Sequence, residues 1–449
     1  MSTRYDIVVL GAGESGVSAA RLAGRAGLRV FVSDAGAGNA KFLEELTVAG
    51  ISHETGGHTD RARNAGAEVV VKSPGIPDTA PLVKELREGG AAIISEIEFA
   101  AHYLNRNAIV IGITGSNGKT TTTQLTEKLL KEGGLSVLAG GNLGDSLARL
   151  LLEHDVPDVY VLELSSFQLD GIIDFRPDLA AILNITPDHL DRYDYDLAKY
   201  ADSKLRIAKN MRRSERLLVL SGDESALAPA LRRNDPDAFL VPITLEEDQT
   251  EEGLKIAGHR FRLKGTQLRG RHNALNAAFA IRFALMLGVD AHDIQRGLDD
   301  FRPAPHRMEV VPTTDGRRWI NDSKATNVDS AYFALDSLDG PAVWIAGGTD
   351  KGNDYDVLAG PAGENVHTLI CLGVDNTKLV DYFGSRLPKV LECRSMAEAV
   401  RLANEAASDG DTILLSPACA SFDLFKNYID RGDQFRRQVT ERINTTPHE

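Results

Sequence analysis

The sequence is poor in cysteine. Cys371, Cys393 and Cys419 are the only three in 449 residues, and no two stand in CxxC spacing. That excludes a disulfide framework and a cysteine-based zinc site, and it suits a reducing, cytoplasmic setting. Positive charge is not in surplus either. The formal net charge is −14, with 64 acidic against 50 basic side chains, whereas nucleic-acid surfaces carry a basic stripe. Nucleic acid is therefore not an expected partner, and a bound anion must be met locally by Lys, Arg and backbone N–H groups. Long hydrophobic runs are missing too. No apolar stretch approaches the ~20 residues that span a bilayer, so no membrane partner is expected. YDIVVLGAG reads as a strand almost at the start, so no signal peptide is expected.

What is present is an ordinary globular composition, 43% apolar and 25% charged, which can bury large cores. At ~150 residues per domain the length predicts about three domains. Strand and helix patterns alternate in three series. DIVVLG, LRVFVSD, AEVVVKSPGI and AAIISE read as the strands of the first. NAIVIGITG, SVLAGG, DVYVLELS, DLAAILNI and RLLVLSGD form the second, followed by LEEDQTEEGLKIAGHRFRLKG as exposed turns and hairpins. FRPAPHRME breaks the pattern with two prolines, and RRWINDS, PAVWIAGG, HTLICLG, KVLECRS and DTILLSPA form the third. Such alternation implies parallel sheets covered by helices. The expected fold class is α/β with three domains. These are a Rossmann-like domain over 1–98, a central P-loop-type ATPase domain with a mostly parallel sheet over 99–303, and a Rossmann-like domain over 304–449.

GITGSNGKTTT, residues 112–122, lies between an apolar strand and a helix, the context of a phosphate loop. The usual pattern wants a glycine where Ile113 stands, so the loop is short. Gly115 and Gly118 allow a tight turn, and the helix N-terminus favours an anion. Lys119 can reach the β- and γ-phosphates, and the Thr120 hydroxyl can ligate Mg²⁺. A plain strand–helix turn capped by Thr would explain less of the pattern.

VVLGAGESG is a second glycine loop, with Gly11, Gly13 and Gly16 as GxGxxG and Asp34 after the next strand. Alone it suggests a dinucleotide-dependent oxidoreductase, which stands as the alternative from another class. That alternative leaves the phosphate loop unexplained, and a nucleotide-sugar diphosphate can use the same pyrophosphate device.

Further candidates lie at strand ends. Glu163 ends DVYVLE, where a carboxylate can hold Mg²⁺ beside phosphates. Asn184, Asp188 and His189 cluster in ILNITPDHLDRY. Asn273 and Asn276 stand at the start of a helix, where capping is the bland role for Asn273. Asp322, Lys324 and Thr326 fall on alternate positions and so could share one face of an extended segment. Lys351 lies in a glycine-rich loop and Ser421 in a turn before a helix.

TGSNGKTTT, ELSSFQL, NxxxDH and SPACASFD together resemble the Mur ligase family and its relative folylpolyglutamate synthase, over the whole chain and in the right order. Those enzymes join an amino acid to a carboxylate through an acyl phosphate. The resemblance implies that Gly115, Ser116, Asn117, Gly118, Lys119, Thr120 and Thr121 hold ATP, with Asn276 at the adenine, Arg307 near the phosphates and Asp322 at the ribose. It implies that Gly13, Ser15, Asp34, Ser73, Pro74, Gly75 and Asn142 contact a UDP-linked substrate. Thr120, Glu163, His189 and Lys204 as a CO₂-derived carbamate would hold Mg²⁺, in two sites. Helix pattern alone does not choose Lys204 over Lys199 or Lys209. Lys324 would act near the transferred phosphate, and Thr326, Lys351, Ser421 and Tyr428 would hold the amino acid. Tyr428 stands where better-known members carry Phe. ELSSFQL and SPACASFD, with no DNPR stretch, resemble the D-glutamate-adding branch. The implied partners are ATP, UDP-N-acetylmuramoyl-L-alanine and D-glutamate, and the implied enzyme is a cytoplasmic monomer of cell-wall synthesis.

Overall fold

The computed structural model describes residues 4–222, 226–244, 250, 252–268, 270–313, 316–350 and 352–445. The first sheet is parallel, with β1 (Ile7–Leu10), β2 (Val30–Ser33), β3 (Ser52–Glu54), β4 (Val69–Lys72) and β5 (Ala92–Ile94) in the order β3-β2-β1-β4-β5. β1 is flanked by β2 and β4, so the chain leaves its C-terminal end at the switch point, where open α/β sheets bind ligands.

The second sheet is also parallel. It holds β6 (Ile109–Thr114), β7 (Val137–Gly141), β8 (Val159–Glu163), β9 (Leu179–Ile182), β10 (Arg216–Leu220) and β11 (Phe239–Ile243), in the order β11-β10-β9-β6-β8-β7. β12 (Gly253–Ile256) and β13 (His259–Arg262) form the expected hairpin. The inner strands are mostly apolar and buried, as in parallel sheets covered on both faces.

The third sheet runs β14-β15-β19-β16-β17-β18, from β14 (Glu309–Val311), β15 (Arg318–Asn321), β16 (Ala342–Ala346), β17 (Val366–Leu372), β18 (Lys389–Cys393) and β19 (Thr412–Leu415). Only its edge strand β14 is antiparallel. Three strands escaped the sequence reading. β3 reads Ser-His-Glu and has no apolar run, β11 carries Pro242 in an edge position, and β14 is a three-residue edge.

The chain divides into two compact units, Met1–Arg262 with Asn276–Asp299, and Leu263–Leu275 with Asp300–Glu449. The first unit holds the first two sheets, whose cores are continuous. Helices Glu14–Arg25, Glu96–Ala101 and Leu147–Glu153 pack on one another and join them. An ion network fastens the same join. The Arg149 guanidinium meets Glu14, Glu45 and Glu153 at 2.9–3.0 Å, and Arg21 shares Glu45 and Glu153. Glu96 is buried there and accepts the Ala148 N–H at 2.6 Å, and burial pushes its carboxyl up to about 8.

Candidate active site

β6 runs straight through Ile113, which pairs with Glu163 of β8 and Ala181 of β9 and is fully buried. The loop therefore starts only at Gly115, which explains the missing glycine. Gly118 has φ +84°, and a Cβ there would lie 2.3 Å from Asn276 Oδ1, so the position admits only glycine. Asn184 braces the loop from β9's end: its Oδ1 accepts the Asn117 N–H at 2.9 Å and its Nδ2 donates to Asn117 O at 3.0 Å. Ser116 Oγ donates to Thr186 O and accepts the Thr186 N–H. Lys119 Nζ folds back over the turn and donates to Gly115 O and Ser116 O at 2.8 Å. The helix behind it, Lys119–Glu132, is capped by Gly118 in left-handed backbone, a residue with no side chain to cap it. Such a terminus is built for an anion. Thr121 is buried in the first turn of this helix.

Glu163 is 3% exposed at the end of β8. Its Oε2 accepts from Thr120 Oγ1 at 2.7 Å and its Oε1 from Asn142 Nδ2 at 2.8 Å. A hydroxyl and a carboxylate converging on one point beside a phosphate loop are the hard oxygen donors that Mg²⁺ prefers. The observed donor set thus fits the metal.

Lys204 ends helix Leu197–Leu205 and is 1% exposed, whereas Lys199 pairs with Asp194 and lies exposed, as does Lys209. The fold thereby selects Lys204 among the three. Its Nζ donates to Gly115 O at 2.8 Å and lies 4.4 Å from the Tyr200 ring centre. Burial, and then the Lys119 ammonium, hold its amine well below the usual lysine range, against the pull of Asp188, Asp170 and Glu163. His189 has φ +51°, lies 3.7 Å from Asp188 Oδ2 through Nε2, and packs edge-on to Phe167.

Around the first glycine loop, Gly11 has φ +99° and a Cβ on Gly16 would strike Gly11 O at 2.0 Å. Gly13 caps helix Glu14–Arg25 in extended backbone, with Ser15 half-buried in its first turn. Asp34 closes the loop: Oδ2 accepts the Ala12 N–H at 2.6 Å and Oδ1 the Gly36 N–H at 2.7 Å. Ser73 Oγ is buried against Gly11 with no partner among the described residues. Pro74 and exposed Gly75 continue that turn. The helix behind this loop opens on Glu14 rather than on a lysine, and Glu14 Oε1 accepts from Ser146 Oγ and Arg149 Nε.

In the second unit, Asp322, Lys324 and Thr326 do not share an extended face. The chain turns after β15, with Ala325 N–H on Asp322 O and Thr326 N–H on Lys324 O. Backbone closure thus overrode the alternation. Asp322 is buried, accepts from Ser416 Oγ and Met308 N–H, and is pushed up to about 7 by that burial, with Arg307 and Arg431 pulling the other way. Lys324 Nζ lies 3.9 Å above the Tyr428 ring. Ser421 is buried beyond β19. Lys351 lies outside the described residues. Asn273 lies inside helix Gly270–Met286 rather than at its cap, and is buried, as is Asn276.

The sequence reading missed Arg431. Its fully buried guanidinium donates to Ser323 Oγ and to the carbonyls of Ser323, Gly347 and Cys419, tying together the chain segments that leave β15, β16 and β19. It also missed Tyr200, whose i to i+4 spacing from Lys204 was the available signal.

A nucleotide-binding strand–loop–helix in a parallel sheet, with a carboxylate and buried lysine at its mouth and α/β sheets before and after it, defines an ATP-dependent α/β enzyme. The comparisons narrow the class. Residues 5–95 match the MurD-like N-terminal domain of Mur ligases, 113–284 the Mur ligase middle domain, and 306–419 the Mur ligase glutamate ligase domain. The UDP-N-acetylmuramoylalanine–D-glutamate ligase of Cytophaga hutchinsonii is 46% identical over 97% of this chain and 98% of its own. Those of Porphyromonas gingivalis and Bacteroides fragilis are 45% and 44% identical over 97% of this chain, and 98% and 99% of theirs. Among solved structures, the UDP-N-acetylmuramate–alanine ligase of Thermotoga maritima aligns with a TM-score of 0.61 at 20% identity, over 99% of this chain and 100% of that one. The chain belongs to the Mur ligase family. It has that family's three-domain α/β fold, and it is an ATP-dependent ligase.

Proposed function

We propose that this ligase adds D-glutamate to the carboxylate of UDP-N-acetylmuramoyl-L-alanine in peptidoglycan synthesis, as its relatives' names state for them. The observation that carries the chemistry is Glu163, bonded to both Thr120 and Asn142 beside buried Lys204. An oxidoreductase reading uses none of these groups. The proposed domains are 1–98 for the nucleotide-sugar, 99–303 for ATP and 304–449 for the amino acid, in a cytoplasmic monomer.

In the proposed mechanism a substrate carboxylate oxygen attacks the γ-phosphorus and ADP leaves. The D-glutamate amine then attacks the acyl carbon, and the tetrahedral adduct expels phosphate as the amide forms. Lys119 and the N–H groups at the start of its helix, Gly118 to Thr121, meet the charge that builds on the transferred phosphoryl oxygens. Thr120, Glu163, His189 and carbamylated Lys204 would hold Mg²⁺ in two sites, and the metal supplies charge neutralisation at the phosphates. Carbamylation suits Lys204 because its depressed amine offers a lone pair to CO₂: a C–N bond forms, a proton leaves, and a cation becomes an anion. Asn142 orients Glu163 and meets the substrate near its reacting carboxyl. Asn276, Asp322 and Arg307 take the adenine, ribose and phosphates. Gly13, Ser15, Asp34, Ser73, Pro74 and Gly75 take the uridine diphosphate. Lys324 acts near the transferred phosphate, and Thr326, Lys351, Ser421 and Tyr428 receive D-glutamate.

A phosphate-release panel tests the reading. Release should require ATP, Mg²⁺, the nucleotide-sugar and D-glutamate together. Equal release with no amino acid, or a change in nicotinamide absorbance, contradicts it.

A further inference from the structure

Two proposed metal ligands, His189 and Lys204, lie on segments separate from the strand that carries Glu163. Both segments are tied to one carboxylate, Asp170, which ends the short helix Ser166–Asp170 just beyond Glu163. Asp170 Oδ1 accepts from Ser203 Oγ at 2.6 Å, and Ser203 is the residue before Lys204. Asp170 Oδ2 accepts from Tyr193 OH at 2.9 Å, and Tyr193 ends the single turn Leu190–Tyr193 that His189 opens. Asp170 is exposed, but both donors are buried, so the two bonds are shielded on the side that matters. Aromatic packing extends the same frame. Tyr193 stacks on Phe167, against which His189 also packs, and leans on Tyr200, which lies under the Lys204 amine.

We infer that Asp170 is a positioning residue for the metal site: by holding Tyr193 and Ser203 it sets where His189 and Lys204 stand relative to Glu163. Asp170 itself touches no reacting atom. Groups that orient metal ligands are worth ~10- to 100-fold in metal affinity or activity when removed. The inference rests on the magnesium reading above.

The test uses the full chain as Asp170→Ala, Ser203→Ala and Tyr193→Phe, with two readouts. One is phosphate release against Mg²⁺ concentration. The other is Mn²⁺ binding by electron paramagnetic resonance in the presence of a non-hydrolysable ATP analogue. Asp170→Ala should weaken Mn²⁺ binding ~10-fold and raise the Mg²⁺ needed for half activation by a similar factor, with KM for ATP within about twofold. Ser203→Ala and Tyr193→Phe should each give part of the effect, and Ser203→Ala added to Asp170→Ala should add little, because Asp170→Ala has already removed the Ser203–Asp170 bond. Asp170→Asn, which keeps an acceptor oxygen, should fall between wild type and Asp170→Ala. Unchanged Mn²⁺ binding and Mg²⁺ response in both Asp170→Ala and Ser203→Ala overturns the inference, even if melting temperature falls. A wild-type enzyme indifferent to Mg²⁺ would instead remove the reading on which it rests.

Discussion

The two glycine loops of the first unit use one backbone device for different ends. Each follows a central parallel strand, turns on a glycine of positive φ and opens a helix. What differs is what closes them. The first is shut by the carboxylate of Asp34, which takes the loop's Ala12 N–H, and its helix opens on Glu14, an acid already engaged by Ser146 and Arg149. The second is braced by neutral Asn184, and its mouth carries Lys119, Thr120 and Glu163. A glycine loop therefore says only that phosphate oxygens can approach; the residues at its rim say whether a phosphoryl group is held or transferred.

The sharpest way to break that contrast is Lys119→Ala. It should lower kcat by at least ~100-fold, the usual cost of one preorganised charge, while calorimetry finds nucleotide-sugar binding intact. Turnover near wild type would show that the second loop is no more catalytic than the first. Asp34→Ala should do the converse. Loss of charge-assisted hydrogen bonds should raise KM for the nucleotide-sugar ~10-fold with KM for ATP steady, and an equal rise in both would erase the division of labour. The smallest effect belongs to the join between the two sheets. The Glu96 carboxyl is raised from 4.5 to about 8, so the folded state keeps a proton that the unfolded chain releases. Stability is therefore lost as pH rises from about 4.5 through about 8. Glu96→Gln, which keeps the bond to Ala148, should melt a few degrees above wild type at pH 9 and close to it at pH 4.5. A melting difference that does not change with pH would contradict this.

Much of this was legible in the sequence because glycine and strand-end positions are local demands. Gly115, Gly118 and Lys119 are dictated by one turn, and Glu163 by the end of one strand. Tertiary burial was not legible. Lys199, Lys204 and Lys209 share one helix and its exit, and only the packed fold puts the second against Gly115 O. Asp322, Lys324 and Thr326 alternate like a strand, yet a backbone bond from Ala325 to Asp322 curls them into a turn. Arg431 stands 108 and 84 residues from Ser323 and Gly347, two of the groups it ties, and a helix pattern gives no sign that its guanidinium is fully buried. Asp170 escaped for the same reason: its two donors come from other segments.

The central claim is that phosphate passes onto a substrate carboxylate before an amine displaces it. The most direct measurement labels that carboxylate of UDP-N-acetylmuramoyl-L-alanine with ¹⁸O and analyses the released phosphate by mass spectrometry. The account predicts one ¹⁸O atom in the phosphate for each amide formed. Amide formation with unlabelled phosphate would contradict it.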